Sequence, residues 1–513
     1  MHVSVGSIPA RAYRWLARTA ISAIGVSVAL MILAGIQGPS GGASAVVPFP
    51  AAPPWPPWFT HSHSAPALVT AEVWLAVLLG GAGVVAGLLA LRRGWRPRPR
   101  RLIIGSVVAV VSLMVMPPLG SSDMLHYAAY GRIAVLGHSP YVMTPGQLES
   151  TGDAVGAVTA RYYRNGLSGY GPLATASEAA ASDLAGDSAA RTLFWLKVWN
   201  ALAYLALVLA LDRVLRSDGP GRARAHLLWS VNPLMLWAVM AGGHIDGLGA
   251  VFGAAALFAM RGADTRRGLL AGVLLGLAAA IKAPYALFGV GLAWAARRSP
   301  RSIVGLAFGG GVVLVPCYLI AGRAAISAVT GIASGAPWGF TVLYAVSRVL
   351  HWHDVTMVEA AGFVGFAMLA AILVRRMPPG PRDFPAVRAA LAVTLAWLIV
   401  SPQVQPWYYA MVFPLLAVTA ASRLDWVVLA TAAITGVAAL PHLFVGLHPE
   451  WLPAVTRTGL DVLTPIALAG TGAALVWLCL TKDWRSAQPG SGLGVRRHGS
   501  ARRSRLAGSP PLV

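Results

Sequence analysis

Charge is scarce in this sequence. Only 11% of its 513 residues are Asp, Glu, Lys or Arg, where a soluble domain carries roughly 25%. Acid is scarcer still, with 18 Asp and Glu against 40 Lys and Arg. Cysteine is nearly absent: Cys317 and Cys479 both lie in apolar runs. There is no CxxC and no Cys/His cluster, so neither a disulfide framework nor a thiolate metal site is expected. No GxxxxGK[ST] or GxGxxG stands between a strand and a helix, which removes the usual sign of nucleotide hydrolysis. No clear internal repeat is visible. A net charge of +22 can signal nucleic acid, but here it has no basic domain to occupy. The arginines fall in short clusters between apolar runs, as in cytoplasmic membrane loops. No nucleic-acid partner is expected.

What the chain has in abundance is apolar sequence, at 57% of residues. Apolar runs near the membrane-spanning length of about 20 residues occur at about 19–36, 68–91, 102–119, 192–211, 226–241, 245–260, 268–282, 284–296, 303–320, 356–374, 388–401, 407–421, 426–444 and 461–480. The fold class is therefore all-α, a polytopic membrane protein of about 12–14 transmembrane helices. Three regions follow: a basic N-terminus 1–18, a multi-spanning domain 19–480 with a large loop 120–191, and a basic tail 481–513 of disordered composition. The first span reads as an uncleaved helix rather than a signal peptide. Gln37–Pro66, rich in Pro and Gly with Trp55, Trp58 and Phe59, reads as an extended interfacial loop. Several short spans are hinged at Gly242-Gly243, Ala283-Pro284 and Pro402–Pro406. Broken helices are tolerated only inside protein or along a cavity.

If the N-terminus is cytoplasmic, 31 of the 40 Lys and Arg fall on the cytoplasmic side, as the positive-inside rule requires. Both termini are then cytoplasmic, in a plasma-membrane protein. The polar interruptions converge on the other, outer side: loop 120–191, the Gly242–Asp246 turn, the Lys282 hinge, loop 321–355 and Ser401–Tyr409.

The most informative stretch is Ser121–Arg132. Asp123 stands at a helix mouth, where an acid is costly unless used. It could N-cap an amphipathic helix 124–135 lying on the membrane, or act as a general base, with His126, Tyr127 and Tyr130 nearby. Arg132 could pair with Asp123, with a phosphate, or in a surface salt bridge. His138 and Tyr141, in a turn, could bind sugar or anchor the loop. Tyr170-Gly-Pro172 marks a helix start. His244 and Asp246 flank a Gly pair and could contact substrate or cap a helix, and they lack a third metal ligand. Lys282 could snorkel to the interface or contact a phosphate leaving group. Gln403, Gln405, Trp407 and Tyr408 suit a sugar or a polyprenyl chain, although aromatics there also serve as belt residues. His351-Trp-His353-Asp354 contains an HxH that could bind a metal, but it reads rather as an interfacial loop.

Taken in order, these residues resemble the GT-C glycosyltransferases that use polyprenyl-phosphate sugars. More narrowly, the chain is similar to the actinobacterial α-1,6-mannosyltransferases of lipomannan and lipoarabinomannan synthesis. The likeness rests on Ser122-Asp123, Tyr127-Ala-Ala-Tyr-Gly131, Gly137-His-Ser-Pro-Tyr141, Tyr170-Gly-Pro172, Asn232-Pro-Leu234, Gly242-Gly-His-Ile-Asp246, Lys282-Ala-Pro284 and Ser401-Pro-Gln-Val-Gln-Pro-Trp407, and it spans about 120–410. It implies that Asp123 assists attack of an acceptor hydroxyl on polyprenyl-phosphate-mannose, with inversion. It also implies a glycolipid or mannan acceptor, membrane lipids around the protein, no cofactor beyond the substrates and no divalent metal. Two departures stand out. Ile245 occupies a position where Asn is expected, and one acid, Asp123, stands where many relatives carry a pair. A different sugar (arabinose or glucose) and a flippase for a lipid-linked sugar remain the alternatives.

Overall fold

The computed structural model describes residues 11–37, 66–262, 264–333, 341–352, 354–443 and 459–484. These are helical, with no strand among them. Helices α1 (Arg11–Ile36), α2 (Pro66–Arg92) and α3 (Pro99–Met114) lead into four short helices: α4 (Asp123–Val135), α5 (Pro145–Ser150), α6 (Ala154–Tyr163) and α7 (Pro172–Ala185). After α8 (Ala189–Val214) come α9 (Gly219–Ala225), α10 (Pro233–Met235), α11 (Asp246–Ala259), α12 (Thr265–Ile281), α13 (Phe288–Ala296), α14 (Pro300–Ala333) and α15 (Val342–Val349). The described chain ends with α16 (Val355–Arg376), α17 (Pro385–Val400), α18 (Phe413–Val418), α19 (Leu424–Leu443) and α20 (Thr464–Thr481).

Each of the fourteen apolar runs coincides with helical structure. Six of the helices are long and apolar enough to cross a membrane. The outward face of α14 shows why the solvent must be lipid: Val304, Phe308, Val312, Val315, Leu319 and Ile320 are all exposed. In water so large an apolar patch would drive aggregation. The protein is an all-α polytopic membrane protein.

The shorter runs are broken for local reasons. Between α9 and α11 the chain makes π-helical turns at His226–Ser230 and Leu236–Ala241. Pro233 between them has no N–H to give. Asn232 repairs the gap, its Oδ1 accepting from Leu234 N (3.1 Å) and its Nδ2 donating to Leu228 O (2.9 Å). The whole stretch is buried, which is where irregular backbone can survive in a membrane.

Three expectations need correction. Asp123 is not the N-cap: Ser122 holds that position and Asp123 is the first helical residue. Nor does α4 lie on a surface. Met124–Gly131 is buried, because α7, α6 and α8 pack around the helix. Loop 321–355 is also partly helical. Helix α14 continues through a kink at Gly322 (φ 81°, ψ 178°), and α15 follows. Residues 334–340 and His353 lie outside the described residues, as do Trp55, Trp58, Phe59, the rest of loop 38–65, residues 1–10 of the basic N-terminus and tail 485–513.

Segments assigned to one side do meet at one end. Arg224 of α9 pairs with Asp425 of α19, and Arg423 with Asp483 after α20. The head of α4, the Gly242–Asp246 turn, the Lys282 hinge and Trp407–Tyr408 gather beyond the end of α3.

Candidate active site

The site is built on three pinned turns. The first is 115–122. Proline at 117 and 118 stops α3, and buried Lys197 of α8 donates to Met116 O (2.7 Å) and Pro117 O (3.3 Å). Leu119 N bonds to Ala241 O (2.8 Å). Asp123 is thereby fixed at the head of α4, its own N–H bonded to Ser121 Oγ (3.2 Å).

The second turn is Gly242–Asp246. Gly243 has φ 71°, and a Cβ there would fall 1.9 Å from Met124 Sδ. Only glycine lets this turn lie against α4. Asn200 Nδ2 donates to Gly243 O (2.9 Å). His244 Nδ1 consequently stands 3.4 Å from Asp123 Oδ2. That is within ion-pair range, but longer than the ~2.7–2.9 Å of a charge-assisted hydrogen bond. Catalytic contacts often tighten only on substrate binding. Gly243→Ala should displace His244 and Asp246 together. The strain is about 1–3 kcal/mol, read as a lowered unfolding temperature and at least a tenfold slower reaction. A variant with wild-type values would mean the turn does not position the site.

The third turn is Lys282–Leu287, at the end of α12. Lys282 Nζ bonds both carboxylate oxygens of Asp246, at 3.0 and 2.8 Å, and Tyr285 donates to Asp246 O (2.7 Å). Lys282 therefore does not snorkel outward. Its ammonium points into the protein. Gly171 N donates to Ile281 O (3.0 Å), and a Cβ on Gly171 would lie 2.1 Å from Ala280 O. That close approach explains Tyr170-Gly-Pro172, because it sets the Tyr170 ring 5.9 Å from Lys282 Nζ.

Aromatic rings close the cluster. Trp407 stacks on His244, with centroids 3.4 Å apart at 14°. The Tyr408 ring lies 4.4 Å from Lys282 Nζ, a cation–π distance. Tyr127 and Tyr170 meet edge to face, their hydroxyls 3.4 Å apart.

Exposure separates the two acids. The Asp246 side chain is fully buried, whereas that of Asp123 is 15% exposed. Asp246 belongs to the ion pair, and Asp123 is the acid a substrate can reach. Burial pushes the Asp123 carboxyl up, but its approach to His244 and the nearby Lys282 ammonium outweigh this and hold it below the ordinary value. It is ionised at neutral pH. Burial takes His126 down to about 4, partly opposed by Asp123, so this imidazole is neutral. Burial likewise raises the Tyr127 and Tyr170 hydroxyls, which stay protonated as donors. Among the described residues no group of three or more His, Cys, Asp or Glu is placed to hold a metal ion.

Other residues singled out in the sequence lie apart. Arg132 does not reach Asp123. It pairs with Asp153 (2.8 Å) and Asp187 (2.5 Å), two and a half turns further along α4. His138 is exposed, lining a shallow groove with Leu136 and Met143. Tyr141 supports the site from behind, donating to Tyr170 O (3.1 Å) and meeting Thr175 Oγ1 (3.0 Å). Gln403 is held through its backbone by Ser401 Oγ. Gln405 is buried, and its Oε1 has no hydrogen-bond partner among the described residues. Lys197 and Asn200 also support the site, though neither belongs to a motif in the sequence. Both are polar residues inside an apolar span, and that rarity was the available signal. The acidic partner looked for beside Asp123 comes instead from α11: Asp246 lies within electrostatic reach of it.

The fold and site define a class: a polytopic helical membrane protein with an accessible acid, a buried lysine–carboxylate pair and flat aromatic rings gathered at one end. Residues 22–298 match the family model described as alpha-(1->6)-mannopyranosyltransferase, N-terminal domain. That is more than half of the chain, and the chain belongs to this family. It is also similar to a probable alpha-(1->6)-mannopyranosyltransferase of Mycolicibacterium smegmatis (strain ATCC 700084 / mc(2)155), 29% identical over 162 residues. The match covers 31% of this chain and 29% of the length of that curated relative. Asp123, His244, Asp246 and Lys282 fall inside the family match; Trp407 and Tyr408 lie beyond it.

Proposed function

We propose that this protein is an α-1,6-mannosyltransferase that takes mannose from a polyprenyl-phosphate donor and transfers it to a hydroxyl of a cell-envelope glycolipid or mannan. Asp123 accepts the proton of the attacking hydroxyl. The new bond joins that oxygen to the anomeric carbon, the bond from the anomeric carbon to phosphate oxygen breaks, and the electron pair leaves with the polyprenyl phosphate. Attack from the face opposite the phosphate inverts the anomeric centre. Lys282 and the protonated Tyr127 and Tyr170 stabilise the departing phosphate. The rings of Trp407 and Tyr408 offer flat apolar surface to sugar or prenyl chain.

One observation carries the reading: the accessible acid stands 3.4 Å from His244, in the same turn as the Asp246 that holds an ammonium framed by tyrosines. Family membership supplies the sugar and the linkage. The charge census supports an outer-face site in the plasma membrane with both termini cytoplasmic, where a lipid-linked donor is available and a nucleotide sugar is not.

The test supplies purified protein with radiolabelled polyprenyl-phosphate-mannose and a mannoside acceptor, followed by linkage analysis. An α-1,6-linked product is expected. Transfer only from arabinose or glucose donors, or from a nucleotide-mannose, would replace the donor assignment. Movement of donor across a vesicle without a new glycosidic bond would make the protein a flippase.

A further inference from the structure

A second chemical feature lies at the opposite end of the bundle, where α2 and α20 end and α19 begins. A groove of about 470 Å³ there is lined by Arg92, Arg423, Trp426, Trp477 and Leu478, among others. Its walls are apolar and two guanidiniums stand at its rim. The Arg92 guanidinium carbon sits 4.4 Å from the Trp426 ring centre and that of Arg423 6.0 Å from the Trp477 ring. Both lie within cation–π range of a ring, and the guanidinium keeps N–H groups with which to donate.

The charge around the groove is not balanced. Asp425, the acid nearest Arg92, is engaged by Arg224 through Nε (2.9 Å) and Nη2 (2.5 Å). Arg92 Nη2 is buried without a hydrogen-bond partner among the described residues. Arg423 pairs with Asp483 at 2.7 Å, but both side chains are more than a third exposed. A surface pair of this kind exchanges readily. Three guanidiniums thus share two carboxylates, and one buried donor lacks an acceptor. Such a donor is costly to leave unmade. The missing group is an anion with several acceptor oxygens.

Location decides its source. This end carries the arginine-rich connections, including Arg93, Arg96, Arg98, Arg100 and Arg101, and tryptophans at the rim mark a membrane interface. Basic clusters face the leaflet that carries anionic lipid. The tail sequence after Trp484 carries six Arg and no Asp or Glu, so its side chains offer no anion. We infer that this groove binds the phosphodiester headgroup of an anionic phospholipid, with one acyl chain along Trp477 and Leu478. The site is distinct from the Asp123 cluster and independent of the sugar transferred.

The experiment is native mass spectrometry of the full chain in a zwitterionic detergent, titrated with phosphatidylglycerol or phosphatidylcholine. Phosphatidylglycerol should be retained at least tenfold more strongly. Arg92→Gln with Arg423→Gln should cost roughly tenfold, the loss expected of a charge-assisted contact. Arg93→Gln with Arg100→Gln removes the same charge from exposed positions and should leave binding unchanged. If the double groove variant does not purify, Arg423→Gln alone, at a partly exposed position, should give a smaller loss in the same direction, and wild-type binding by it would count against the site. Wild-type binding by the groove variants, equal binding of phosphatidylcholine, or displacement of the lipid by millimolar inorganic phosphate would each overturn the assignment.

Discussion

Asp123→Asn should reduce mannosyl transfer by about 10²–10⁴-fold, the usual contribution of a positioned general base, while leaving the protein folded. The amide keeps the shape of the side chain and its place at the head of α4, so purification and unfolding temperature should stay near wild type. KM should move little, because the change removes proton acceptance and not the aromatic or lysine contacts. The pH profile adds a second reading. The folded Asp123 titrates below the ordinary carboxylate value. Any stability that its ionised form contributes is therefore fully present above about pH 4, and is lost only as pH falls through the lower folded value. His126 titrates near 4 and is neutral over the same range. Neither group should impose an acid limb on kcat/KM between about pH 6 and 8. A variant with wild-type kcat would sink the assignment, and so would a wild-type rate that tracks a single ionisation near pH 6.5 in that window and loses the dependence on His126→Gln.

The largest stability effect should come from Lys282→Met. In the Lys282–Asp246 pair the carboxylate is fully buried and the lysine side chain is 10% exposed. Removing the lysine leaves the Asp246 carboxylate without its partner, which costs about 3–5 kcal/mol in comparable buried pairs. Thermal unfolding in detergent should register this as severe destabilisation, or as failure to purify. Replacing both partners, Lys282→Met with Asp246→Leu, should recover most of the loss, because an apolar pair of similar volume is often no worse than a buried ion pair. Transfer should remain lost in the double variant, since the phosphate contact is gone. Two results would oppose this account: a single variant as stable as wild type, or a double variant no more stable than the single.

The fold was legible because its signal is long and redundant. Each apolar run coincides with helical structure, and arginine clusters separate many of the runs. The site was legible in part. Asp123, His244, Lys282 and Trp407 drew notice as polar or aromatic residues interrupting apolar sequence, and they do meet. Their pairing was not legible. Lys282 looked like a lone interfacial cation because its partner, Asp246, lies on another helix. Arg132 looked close to Asp123 because both lie on one short helix, but its partners Asp153 and Asp187 come from later turns of the loop. The surface position given to α4 failed for a related reason: its apolar residues face other loop helices, which a one-dimensional pattern cannot distinguish from lipid. Lys197 and Asn200 escaped notice because a single polar residue in a long span carries no neighbour to give it meaning.

Lys197 has a consequence for how the molecule is made. Synthesis runs from the N-terminus, so the turn that carries Asp123 leaves the ribosome well before the ammonium that pins it through Met116 O and Pro117 O. The His244 and Lys282 turns come later still, and Trp407 after them. The active end of the bundle is thus completed only when residue 407 has emerged, and the opposite end later still, with Asp483. A nascent chain halted before α17 holds Asp123, His244 and Lys282 without the ring that stacks on His244, and so is a membrane-inserted intermediate with no competent site.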